Sequence, residues 1–249
     1  MTVDTLIGGA SCRFPQTGHT VIGQLASEDA ALRALAYEKV VVAYWKPAYK
    51  YARLKWKASN EDAKDLIQAF FTRALDKGFF REYDPAKASF RTYLRTCLDR
   101  FAANESQSAQ RLKRGGGITL LSLDFEGAER ELACSTPSVE DCFHREWMRS
   151  LFELAIGALR ERCESDGKAI QFRVFECYDL SAAGSSSTEE RPTYNQLSRQ
   201  FGVTPATITN YLAAMRRDLR RIVLEKLREI TSGEKEYRSE ARALLGIGS

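Results

Sequence analysis

The sequence predicts an all-α fold: two small helical domains joined by a flexible acidic linker, the second ending in a helix-turn-helix. Three observations carry that expectation. Apolar residues recur at helical spacing in Ala63, Leu66, Ile67, Phe70, Phe71, Ala74 and Leu75, and again in Phe90, Tyr93, Leu94, Cys97, Leu98 and Phe101. The triple glycine at 115–117, followed by an acidic stretch containing Pro137, separates one helical segment from the next. Thr193 to Glu229 then carries start and stop signals for two helices joined by a tight turn.

Residues 1–26 hold Gly8, Gly9, Pro15, Gly18 and Gly23 with little periodicity, and are expected to be an extended or partly disordered arm. Ser27 is placed to cap a helix running through Leu32, Leu35 and Tyr37. The β-branched run Val40 to Trp45 admits a strand, but its long periodic flanks favour helix, with Pro47 kinking or restarting it. Tyr44, Trp45, Tyr49, Tyr51 and Trp56 alternate with lysines and arginine, as expected for core aromatics on a helix with a solvated basic face. Ser59 caps the next helix, with Asp62 at the capping-box position, and Gly78 ends it. Ser89 caps the helix from Phe90 to about Gln110.

Residues 27–114 thus form the first domain and 115–142 the linker. The second domain, 143–229, begins with a helix facing inward through Trp147, Leu151, Leu154, Ala155, Ala158 and Leu159. Ile170, Val174, Phe175, Cys177 and Tyr178 belong to a second helix, and 181–192 to a flexible loop. In the helix-turn-helix, Thr193 and Gln196 make a capping-box pattern, and Gly202 supplies the positive φ that ends the first helix. Thr204 caps the second helix and Pro205 fits its first turn. Residues 230–249 are expected to be a polar tail with at most one helical turn near Ala241 to Leu245.

Net charge is only +4, but it is segregated along the chain. Arg91 to Gly117 holds six Lys or Arg against two acids, Asp124 to Asp166 eleven acids against five Arg, and Arg191 to Arg228 eight Lys or Arg against Asp218 and Glu225. Such a basic helix-turn-helix is suited to the major groove, and basic clusters supply the phosphate neutralisation that drives DNA affinity. A phosphate loop, a nucleophile elbow and paired cysteines are absent, and His19 and His144 stand far from any partner set, so an enzyme is not expected. Cys134, Cys142 and His144 lack the paired spacing of a zinc site. Neither metal nor cofactor is expected, and the six cysteines are expected to be reduced thiols. With no signal peptide and no apolar run near membrane length, a cytoplasmic location away from membranes is expected.

Taken in order, these parts resemble an extracytoplasmic-function-type sigma factor, a bacterial RNA polymerase specificity subunit. Asn60 to Phe71, with Asp65, Leu66 and Gln68, looks like the family's polymerase-docking helix. Phe90 to Leu94 with Asn104 and Glu105 looks like its −10 helix, and 193–221 like its −35-reading helix-turn-helix. Arg114 to Gly117, Leu121 to Asp124 and Phe143 to Trp147 are similar to a branch common in planctomycetes and myxobacteria. The match spans about residues 14–229. Tyr93 stands where the family often has Trp, and Arg100 where Asn is frequent.

The resemblance implies a non-enzymatic subunit that binds core polymerase, through its β′ coiled coil and β flap, and promoter DNA. It admits an anti-sigma factor or regulatory kinase as a further partner. Docking falls to Asp62, Asp65, Gln68 and Arg73. Melted −10 DNA falls to Arg91, Arg95, Arg100, Asn104, Arg111, Lys113 and Arg114. Duplex −35 DNA falls to Thr207, Thr209, Asn210, Arg216, Arg217, Arg220 and Arg221. Asn210 suits adenine and Arg217 guanine or phosphate, whereas Arg220 and Arg221 suit phosphates. The competing expectation is a stand-alone helix-turn-helix regulator, which needs neither the docking helix nor the basic segment before the glycines.

Overall fold

The computed structural model describes residues 20–109, 128, 138–181 and 191–245. All regular structure among them is helical. The helices are α1 (Val21–Gln24), α2 (Ala30–Lys55), α3 (Asn60–Lys77), α4 (Phe90–Ala109), α5 (Val139–Ser165), α6 (Ala169–Phe175), α7 (Tyr194–Phe201), α8 (Pro205–Ile230) and α9 (Glu234–Leu245). A 3-10 turn at Phe79–Glu82 leads towards α4, and a π turn at Glu176–Leu180 extends α6. The triple glycine, most of the acidic linker and most of the 181–192 loop lie outside the described residues.

Local signals account for most helix ends. The Ser59 hydroxyl accepts the Asp62 N–H at 3.1 Å, and Gly78 closes α3 at φ 65°. The start of α2 is corrected. Its cap is Asp29, whose carboxylate accepts the Ala31 and Leu32 N–H groups, while the Ser27 hydroxyl accepts the Asp29 N–H. Leu32 and Leu35 remain exposed. Pro47 neither stops nor restarts α2, which runs unbroken across it. Tyr44, Trp45, Ala48, Tyr49 and Tyr51 are all buried around that position, and their packing outweighs the lost backbone hydrogen bond.

Two terminal segments also depart from expectation. Thr20 caps α1, and Val21, Ile22 and Leu25 are buried against α2 and α8, so the last residues of the expected arm belong to the core. At the other end, α9 is a full helix, with Tyr237, Ala241 and Leu244 packed on the core at spacings of four and three. On α6, Ile170 is exposed and Phe172 takes the inward position. Cys97, Cys163 and Cys177 are free thiols. Cys142 corrects the expectation of reduced cysteines: it is disulfide-bonded, a pairing that isolated cysteines without motif spacing do not announce.

The largest packing seam joins α2 to α5. Lys50 meets Glu146 at 2.7 Å and Lys46 meets Glu153 at 2.8 Å. The first number falls as the second rises, so the two helices run antiparallel. Tyr51 lies edge-on to Phe143 at 5.5 Å, and Tyr44 tilts over Trp147 at 6.3 Å. Through this seam the buried residues of 27–114 and 143–229 form one cluster. Lys50 is therefore not part of a solvated basic face: it is 2% exposed and paired with a buried glutamate.

Candidate nucleic-acid interface

Three groups of side chains were expected to form the site. The group expected to read the duplex lies on α8, which α7 and the Gly202 turn lead into. Thr193 and Gln196 complete a reciprocal capping box, and Gly202 sits at φ 66° in the turn. The Ser198 hydroxyl donates to the Val203 carbonyl, tying the turn to α7. The Thr204 hydroxyl accepts the Thr207 N–H at 3.2 Å and starts α8. Ile208, Leu212, Met215, Ile222 and Val223 are buried on one side of α8. That stripe fixes which residues face outward.

Asn210, Arg217 and Arg220 are exposed, and among the described residues no ion pair holds either arginine. Asn210 and Arg217 are two turns apart on one face, about 10 Å along the axis. The other four candidates are engaged. Thr207 shares a hydrogen bond with the Thr204 hydroxyl at 2.8 Å, and Thr209 donates to the Pro205 carbonyl at 3.1 Å. Arg216 grips Asp179 through two nitrogens at 2.8 and 2.9 Å, clamping the π turn to α8. Arg221 spans Asp218 at 3.2 Å and Glu225 at 3.0 Å on its own helix. Sequence reasoning missed that Arg228 and Tyr237 extend this cationic strip. Arg217, Arg220, Arg221 and Arg228, with Glu225 among them, line an open depression of about 380 Å³ beside Tyr237, whose ring carries the Arg228 guanidinium at 4.4 Å.

The second group lies on α4. Arg100 and Asn104 are exposed and Arg95 is half-buried. Tyr93 is partly buried, donating to the Phe79 carbonyl at 2.7 Å, and burial pushes its phenol up. Arg91 is drawn inward instead, meeting Glu240 at 2.9 Å and lying 4.7 Å from the centroid of the Trp147 ring. Arg111, Lys113 and Arg114 lie outside the described residues.

The docking group lies on α3. Asp65 is exposed and Gln68 half-buried. The Ser59 hydroxyl donates to the Asp62 carboxylate at 2.7 Å, and Arg73 pairs with Glu105 at 3.0 Å. A groove of about 720 Å³ runs between α3 and α4. Trp56, Leu66, Ala69 and Ala102 make its apolar part, and Asp62, Asp65, Asp99 and Glu105 a mainly acidic rim in which Lys55 pairs with Asp99 at 2.8 Å. The contributions of Trp56, Asp99 and Glu105 were not foreseen, because they come from other helices.

His144 is a reporter placed beside Arg91. Burial, then the Arg91 charge, hold its imidazole below the ordinary value of 6.5, with Glu240 and Asp141 opposing more weakly. The unfolded chain therefore binds more protons than the folded one just below pH 6.5. Stability contributed by neutral His144 is full above pH 6.5 and falls as the pH drops through the folded value. In an NMR titration the His144 midpoint is expected below 6.5, rising in Arg91→Ala and falling further in Glu240→Gln. An unshifted midpoint in both variants would contradict the arrangement.

Among the described residues no helix is long and apolar enough to cross a membrane. No protein-family model, no curated protein and no solved structure matches the chain.

Proposed function

We propose that the chain is a sigma factor of the extracytoplasmic-function type, a non-enzymatic subunit that recruits core RNA polymerase to promoters. In this reading 27–114 docks the polymerase and holds the melted −10 strand, and 143–229 reads the −35 duplex. Segment 115–142 connects the two grips, and the chain acts in the cytoplasm. The observation that carries the reading is the outward pair Asn210 and Arg217, set on α8 opposite its buried stripe, with exposed Arg220 on the flank. An amide and a guanidinium two turns apart fit base edges in a major groove, with Arg220 and Arg228 along the backbone. The acid-rimmed groove beside Asp65 supports a separate, basic protein partner.

Weak duplex readout suffices here, because polymerase tethers the helix and raises its effective concentration. Asn210→Ala is expected to lose about 1–3 kcal/mol at a single promoter position. Initiation on a set of promoters varied base by base measures this, and a uniform loss across the set would remove the assignment. The reading as a whole is tested by size exclusion with sigma-free core polymerase. Co-elution of the chain with the core is expected. A chain that shifts promoter duplex but never joins the core is a stand-alone regulator.

A further inference from the structure

Among the described residues, Arg91 is the melted-strand candidate that the fold takes out of reach. Its side chain is 19% exposed and its partner Glu240 12%. Nη2 meets Glu240 Oε1 at 2.9 Å, while the buried Nη1 has no hydrogen-bond partner. Beside it, the Phe90 N–H at the start of α4 donates to Glu236 Oε1 at 3.1 Å. The other Glu236 oxygen accepts the Ser232 N–H at 2.8 Å and the Ser232 hydroxyl at 2.5 Å. Two carboxylates of α9 therefore occupy the first turn of α4, where the backbone N–H groups and the helix dipole favour anions.

We propose that α9 is a built-in competitor of single-stranded DNA: Glu236 and Glu240 hold the places at Phe90 and Arg91 that nucleic-acid phosphates take when the site opens. The inference rests on the melted-strand role read for α4 above. A phosphate offers the same charged acceptor oxygens as a carboxylate. It can also engage both terminal nitrogens of a guanidinium, satisfying the Nη1 that Glu240 leaves unpaired. The competitor is cheap to displace. Helix α9 spans twelve residues, packs through little beyond Tyr237, Ala241 and Leu244, and joins α8 by the short elbow Thr231 to Gly233.

Fluorescence anisotropy with the full chain and a labelled random-sequence single strand of about 20 nucleotides tests this directly. Glu236→Gln combined with Glu240→Gln is expected to bind at least about tenfold tighter than the wild-type chain. A charge-matched control, Glu161→Gln with Glu164→Gln, is expected to stay within about twofold. Adding Arg91→Ala to the first pair is expected to abolish the gain. Amide exchange at 90–94 checks that the site itself opens: it should quicken in the first pair and not in the control. Equal binding by wild type and the glutamine pair overturns the competitor role and leaves the promoter reading standing. A gain that survives Arg91→Ala, or that the control reproduces, overturns it equally. No binding by any of the proteins removes both the competitor role and the melted-strand reading.

Discussion

Lys50→Met is expected to cost about 3–5 kcal/mol of folding stability at the α2–α5 seam. Lys50 and Glu146 lie 2.7 Å apart with side chains 2% and 7% exposed. Removing the ammonium leaves a carboxylate with little water to solvate it. The Arg149 ion-pair contact is at 3.9 Å and half exposed, a separation too great for a strong hydrogen bond. Pairing Lys50→Met with Glu146→Leu removes both charges and is expected to recover most of the loss. Urea unfolding measures both, with the midpoint moving and the slope unchanged. A single-variant loss below about 1 kcal/mol would mean that water reaches the pair, as at an open surface salt bridge. The result bears on function, because this pair bolts the segment read as the polymerase-docking half to the segment read as the duplex-reading half.

Asp65→Lys is expected to weaken binding to core polymerase about a hundredfold while leaving the fold intact. Asp65 is exposed on the rim of the α3–α4 groove and caps nothing. Asp62 shares the rim but also accepts a hydrogen bond from the capping Ser59, so its replacement would confuse docking with helix stability. A basic partner segment that meets Asp65 would meet a like charge instead. The stability of the variant should stay within about 0.5 kcal/mol of wild type, as for other surface changes. Biolayer interferometry against immobilised core separates the outcomes. Unchanged affinity with an unchanged melting curve would move the docking surface off α3.

Where the chain announces its own local chemistry, the fold was legible. The hydroxyl caps at Ser59, Thr193 and Thr204 and the left-handed glycines at 78 and 202 bound their helices as their residue types require. What stayed hidden depends on partners distant in sequence. Pro47 signals a break in any local reading, and only the burial of its aromatic neighbours shows why α2 continues. Lys50 sits among lysines that look solvated, and its status is decided by a glutamate 96 residues away. The spacing of Tyr237, Ala241 and Leu244 was visible, but the polarity between them disguised α9 as a tail.

The candidate site follows the same division. That Asn210 and Arg217 share the outward face of α8 was readable, since one helix with one buried stripe determines it. The engagement of Arg216 by Asp179, of Arg73 by Glu105 and of Arg91 by Glu240 was not, because each acid comes from another element. Charge counting along the chain treats all these arginines alike. The fold sorts them into arginines clamped by acids of other elements and arginines that face outward.

The most direct measurement is transcription by sigma-free bacterial core polymerase, supplemented with the purified chain, on a library of random promoter sequences. Sequencing of the transcripts should reveal new start sites that share two upstream elements at a constant spacing. Asn210→Ala should relax one position of the upstream element, and Asp65→Lys should abolish the starts. If no start appears with the chain present, while the chain alone retards duplex DNA, the sigma-factor account is wrong and the protein is a regulator that works without polymerase.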